Sequence, residues 1–172
     1  MIESGQKAPD FALPGVERGE PAVYELFRAI EAGDSVLLWF APATFLPSTT
    51  AELVAMRDSG WGEIPDLRVW VITMDSIYAA AAYANEYELP FALLGDGASA
   101  ADYYGVRYGE WEGHYGPPKR AAFLVASDWN VEFTWVTEDA FAAPSPSPVE
   151  RVGAILADRF GASVPTVDYD AY

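Results

Sequence analysis

The chain contains no cysteine in its 172 residues. That absence excludes disulfides, thiolate metal sites and every cysteine nucleophile. Histidine is nearly as scarce. His114 is the single one, so a multi-histidine metal centre cannot form within one chain, and a Ser-His-Asp hydrolase would have to use it. No G-x-S-x-G elbow accompanies it. Long apolar runs are also missing, since none approaches the ~18 residues a membrane helix needs. Met1 to Gly5 does not open a signal peptide, so a cytoplasmic protein is expected. Basic residues are few: 10 Lys and Arg stand against 26 Asp and Glu, a net charge of −16, and the lysines are only Lys7 and Lys119. Such a charge repels phosphate backbones and anionic membranes, which leaves nucleic acid and membrane surfaces unfavoured as partners. The carboxylates are dispersed rather than gathered in a tail. Dispersal favours adaptation to a salt-rich cytoplasm, where screening relieves self-repulsion, over an acidic docking face for a basic partner.

What is present is a large stock of core-forming side chains. Hydrophobic residues make up 51% and aromatics 15%, enough to bury a core and to argue against disorder. The length suits a single domain. Continuous apolar runs at 35–41, 67–73 and 120–126 predict strands covered on both faces. Residues 131–136 alternate as an edge strand in a hairpin after the turn at 127–130, and 91–94 is a short extended piece. Helical spacing predicts helices over 23–32, from Ser48, Thr49 or Thr50 as N-cap to Ser59, over 77–87 capped by Ser76, over 99–104 ended by Gly105, and over 149–160. Strands alternating with helices, then a late hairpin, predict an α/β layered fold. Within it, 1–143 forms the main body, the Pro/Ser segment 144–148 a stiff linker, 149–160 a helix and 161–172 a loose tail. No G-x-G-x-x-G or Walker sequence follows a strand, so a nucleotide site lacks support. The glycine-, tyrosine- and tryptophan-rich stretch 105–116 reads as a packed surface loop in preference to a ligand site.

Several stretches, in order, carry a family resemblance. Gly5-Gln6-Lys7-Ala8-Pro9-Asp10-Phe11-Ala12-Leu13, Val36 to Pro42, Met74-Asp75-Ser76, Phe91 to Asp96 followed by Tyr104-Gly105-Val106, and Arg120 to Val125 match the landmarks of the peroxiredoxins of the alkyl hydroperoxide reductase and thiol-specific antioxidant group. The resemblance spans about residues 3–136 and implies a thioredoxin-like three-layer sandwich, a central mixed sheet flanked by helices. It also implies homodimerisation and a protein partner in redox metabolism. Arg120 stands where thioredoxins carry a cis-proline, which places the likeness on the peroxide branch. The family's active-site motif, P-x-x-x-T-x-x-C, falls on Pro42 to Thr49. Pro42 matches the proline, Leu46 replaces the threonine, Thr49 replaces the peroxidatic cysteine, and Glu52 and Arg120 match the framing residues.

The substitutions remove the chemistry. A thiol is brought into play near neutral pH by a helix N-terminus and a neighbouring arginine, and is recovered from its sulfenate by another thiol. A threonine hydroxyl stays protonated and has no such oxidised state. The expectation is a family member without thiol peroxidase activity, acting by binding or scaffolding. An oxidoreductase, as the resemblance implies, is the alternative, and a small-anion or carboxylate sensor using Ser48, Thr49, Thr50 and Arg120 is a second. Against that sensor stands a plainer reading, in which Ser48 or Thr49 caps the helix and Arg120 pairs with Glu52 as a buried strut. Asp75 and Asp96 are weak grounds for a metal site, and no metal or cofactor is expected.

Overall fold

The computed structural model describes residues 1–95 and 97–172; Asp96 lies outside the described residues. Nine strands and five α-helices follow one another as β1 (Ala12–Glu17), β2 (Glu20–Glu25), α1 (Leu26–Glu31), β3 (Ser35–Phe40), α2 (Pro47–Asp58), β4 (Leu67–Ile72), α3 (Ile77–Glu86), β5 (Ala92–Leu94), α4 (Ala98–Tyr103), β6 (Glu110–Trp111), β7 (His114–Tyr115), β8 (Arg120–Val125), β9 (Val131–Thr137) and α5 (Pro148–Phe160), among the described residues. Seven strands form one mixed sheet in the order β2-β1-β5-β4-β3-β8-β9. β3, β4 and β5 run parallel; β1, β8 and β9 pair antiparallel with their neighbours.

The central strands are almost wholly apolar because helices cover both faces, the charged exceptions being Arg68 of β4 and Arg120 of β8. Side chains alternate across a strand, and the alternation is visible here. Val36, Leu38 and Phe40 of β3 face one core with Leu26, Ala29 and Ile30 of α1 and Ala100 and Ala101 of α4. Leu37 and Trp39 face the other with Leu53 and Met56 of α2, Tyr83 of α3, and Val149, Val152 and Leu156 of α5. Helices, sheet and helices thus make the three layers of a thioredoxin-like sandwich.

The helix expected over 23–32 is replaced by a strand and a short helix. β1 and β2 form a hairpin whose turn places Arg18 at φ 50° and Gly19 at φ 83°, with Glu17 opposite Glu20. Paired positive φ values are those of a type I′ turn, whose twist matches the flanking strands. Pairing holds Val23 on the edge strand, 70% exposed, and sets Tyr24 edge-on to Trp70. Only Leu26 to Glu31 remains helical.

The helix caps differ as well. α2 begins at Pro47 behind the extended backbone of Leu46, and no side chain caps it. Proline at the first helical position loses nothing, since its missing N–H would have no partner there. Ser48, Thr49 and Thr50 therefore sit inside the first turn instead of at the cap. Ser76 does cap α3, accepting from the Ala79 N–H at 3.3 Å. Ser147 and Glu150 form a reciprocal capping box at α5. The 105–116 stretch folds as the small β6–β7 hairpin.

Segment 161–172, expected to be loose, lies against the body. Ala162 and Val167 pack on the second core, and Trp61 Nε1 donates to the Ser163 carbonyl at 3.0 Å.

Candidate functional site

β3 delivers the chain to the site. Its last residue, Phe40, is in register with Ala121 of β8, so Arg120, one step earlier, stands where β3 hands over to the loop before α2. That loop is held from the side: the Thr44 N–H and Oγ1 both donate to Asp75 Oδ2, at 2.7 and 2.8 Å. Between them and Pro47, Phe45 adopts φ 62° and is 49% exposed. A non-glycine side chain in this region of backbone space costs about 1–3 kcal/mol and is kept only where its surroundings impose it.

At the centre lies a buried ion pair. Glu52 on α2 and Arg120 on β8 are both 0% exposed. Arg120 engages the carboxylate with two nitrogens, Nη2 on Oε1 and Nε on Oε2, the latter at 3.2 Å. Its Nη1 donates to the Ala142 carbonyl at 2.7 Å and more distantly to Ala140. Trp39 Nε1 donates to Glu52 Oε2 at 3.1 Å, and the Tyr169 hydroxyl donates to Oε1 at 2.8 Å. Four donors thus satisfy one carboxylate, which is what a buried charge requires. Two aromatic rings flank the guanidinium, Trp135 at 5.2 Å and Tyr169 at 5.7 Å.

The remaining sequence-predicted residues have four different placements. Ser48 joins the pair indirectly, since its hydroxyl donates to the Ala140 carbonyl at 2.6 Å, an acceptor that Arg120 shares. Thr50 turns toward α3. It donates to the Leu46 carbonyl at 2.8 Å, so Tyr83 must donate the 2.7 Å bond between their hydroxyls. Burial pushes the Tyr83 phenol well above its ordinary range. Thr49 is 1% exposed, and its Oγ1 has no hydrogen-bond partner among the described residues. Pro42 is buried and Leu46 half-buried at the approach to α2.

This arrangement can hold charge and shape but cannot transfer electrons through sulfur. Arg120 is spent on Glu52, on two carbonyls and on Tyr169. No cluster of three or more metal-ligating side chains occurs among the described residues, and no helix there is long and apolar enough to cross a membrane.

Trp39, Trp135 and Tyr169 were not predicted as site residues. Trp39 has a signal in hindsight: it falls on the same face of β3 as the residues that meet α2. Tyr169 has none, because a short polar stretch after a helix carries no periodicity.

Comparison with known proteins agrees with this fold. The AhpC/TSA family model matches residues 4–134. A Coxiella burnetii protein assigned as a peroxiredoxin of the Bcp type is 32% identical over 142 residues, covering 78% of this chain and 88% of that relative. Among solved structures, peroxidoxin BcpB from Mycobacterium tuberculosis superposes with a TM-score of 0.67 at 25% identity, over 81% of this chain and 88% of its own. Enterococcus faecalis AhpC shares the fold, with a TM-score of 0.74 at 21% identity, over 95% and 99% of the two chains. With the sheet order and the family match in agreement, the chain belongs to the AhpC/TSA family, as a peroxiredoxin-type member that contains no cysteine.

Proposed function

We propose that this chain is a peroxiredoxin-family protein without thiol peroxidase activity, which works by binding rather than by catalysis. The observation that carries the reading is Thr49. By the resemblance of 42–49 to the family motif it falls at the nucleophile's position, and it is buried with no base on its hydroxyl: His114 lies on the exposed β7 strand, and Glu52 is already committed to Arg120, Trp39 and Tyr169. An alcohol there neither attacks a peroxide near neutral pH nor passes through a sulfenate. Leu46, in place of the substrate-binding hydroxyl, removes a second part of the machinery. The oxidoreductase reading draws on the relatives alone, since no residue of the chain supplies the sulfur chemistry. The anion-sensor reading asks Arg120 to abandon partners that satisfy it. A homodimer in a salt-rich cytoplasm, associated with a redox protein, completes the proposal; the charge of −16 with two lysines supports the salt adaptation.

The test is a peroxide-consumption assay, with hydrogen peroxide and an organic hydroperoxide, driven by thioredoxin or dithiothreitol. The expected rate equals that of the protein-free control. Turnover above background that disappears in Thr49→Ala would overturn the proposal.

A further inference from the structure

Segment 161–172 is attached to the body in an unusual way. Past Gly161, which ends α5 at φ 68°, its internal and helix-end backbone bonds are few: Ala162 N–H to Leu156 and Ala171 N–H to Asp168, both 3.4 Å. Side chains fasten it instead. Val164 settles against α5 where Gly153 leaves room; a Cβ built on Gly153 would stand 3.2 Å from Val164 Cγ1. Tyr169 and Tyr172 then make the two specific contacts. The Tyr169 hydroxyl donates to Glu52 Oε1 at 2.8 Å and accepts from Arg120 Nη2 at 3.4 Å, while its ring lies 5.7 Å from the guanidinium carbon. Tyr172 meets the Tyr87 ring edge-on at 5.6 Å, continuing the Phe45–Tyr83–Tyr87 aromatic row.

These contacts are those of a ligand in a site. The phenol is used as donor, as acceptor and as a ring, all at once, and both charged partners are fully buried. Phenylalanine would offer only the ring, and serine only the hydroxyl. Burial and the neighbouring Glu52 charge keep the Tyr169 phenol protonated well above its ordinary range, the form that donates to the carboxylate. A segment held by side chains rather than by backbone pairing opens without disturbing the sheet.

We propose that the Arg120–Glu52–Trp135 cluster is a receptor for a tyrosine phenol in an acidic peptide, and that residues 165–172 are its ligand, held in cis. The proposal rests on reading this site as one of binding and names what it binds. In cis the ligand is present at an effective concentration of order millimolar, which competes with any weaker ligand in trans.

The experiment uses the full chain carrying Tyr169→Ala and Tyr172→Ala, which empties both subsites, and a fluorescently labelled peptide of residues 165–172. Saturable anisotropy binding is expected. Wild-type protein, already occupied, should bind the peptide about ten-fold more weakly or worse. A peptide with phenylalanine at the Tyr169 position should lose about ten-fold or more in affinity, because a hydrogen bond to a charged group is missing. Equal affinity of the two peptides, or no binding to the folded double variant up to about 1 mM, would overturn the proposal. A second measurement does not need the double variant. Tyr169→Phe keeps a chymotrypsin site, and cleavage after position 169 should be about ten-fold faster than in wild type; an unchanged rate refutes the cis contact. Neither result alters the peroxide assay, so the two proposals fail separately.

Discussion

Removing the Arg120 guanidinium while keeping its volume is the sharpest probe of the site, and Arg120→Met does this. In wild type both charges are fully buried, and at an effective dielectric near 20 two unit charges ~4 Å apart attract by about 4 kcal/mol. In the variant Glu52 keeps only Trp39 Nε1 and the Tyr169 hydroxyl as donors, and the Ala142 carbonyl loses its 2.7 Å partner. A buried carboxylate stripped of its counter-charge costs about 3–5 kcal/mol. For a chain of this size that corresponds to a midpoint lowered by roughly 6–20 °C. Adding Glu52→Leu removes the stranded charge, and the double variant should recover about 2 kcal/mol or more of the loss, a coupling that independent sites would not show. The assay is urea unfolding followed by circular dichroism, repeated at low and high salt. The loss should be nearly the same at both, since buried pairs are screened little. A single-variant cost below about 1 kcal/mol, or a double variant whose cost is the sum of the two singles, would refute the reasoning.

Further outcomes follow from the same geometry. Thr49→Val deletes a buried hydroxyl that has no partner among the described residues and keeps its shape, so stability should rise by about 1 kcal/mol in the urea midpoint; a loss would mean that the hydroxyl is used. Tyr83 is protonated in the folded state well above its ordinary value of 10.0, whereas the unfolded chain releases that proton near 10. Its contribution is therefore fully present below pH ~10 and is lost as pH rises beyond, at about 1.4 kcal/mol per pH unit. Tyr83→Phe should flatten the alkaline limb of a stability–pH curve by that slope, and an unchanged limb would show that Tyr83 is not held protonated.

Local sequence and tertiary structure part company at particular residues. The strands at 35–40, 67–72 and 120–125 were readable because burial on both faces leaves them almost wholly apolar, with Arg68 and Arg120 as the charged exceptions, a signal that owes nothing to partners. The β1–β2 hairpin escaped because Val23 to Glu25 also fits helical spacing. Only pairing with β1, through the Arg18-Gly19 turn, decides between the two. Capping by Ser48, Thr49 or Thr50 was a reasonable expectation from residue type. It failed because Pro47 takes the first helical position and pushes all three inside the turn.

At the site, the chain's composition alone decides that sulfur chemistry is absent, since a residue that is not encoded cannot be placed by folding. The order of motifs likewise lines up Pro42, Leu46, Thr49, Glu52 and Arg120 with the constellation that the resemblance implies; of these the structure joins Glu52 and Arg120 directly. What the constellation is doing belongs to the tertiary structure. Glu52 and Arg120 are 68 positions apart, and their burial at 0% turns a pair that would be nearly neutral at the surface into a strut. Tyr169, another 49 positions beyond Arg120, reaches that strut across the fold. Burial and long-range contact are properties of the packed molecule, not of local sequence, which is why the missing cysteine could be read from the chain and the phenol over the site could not.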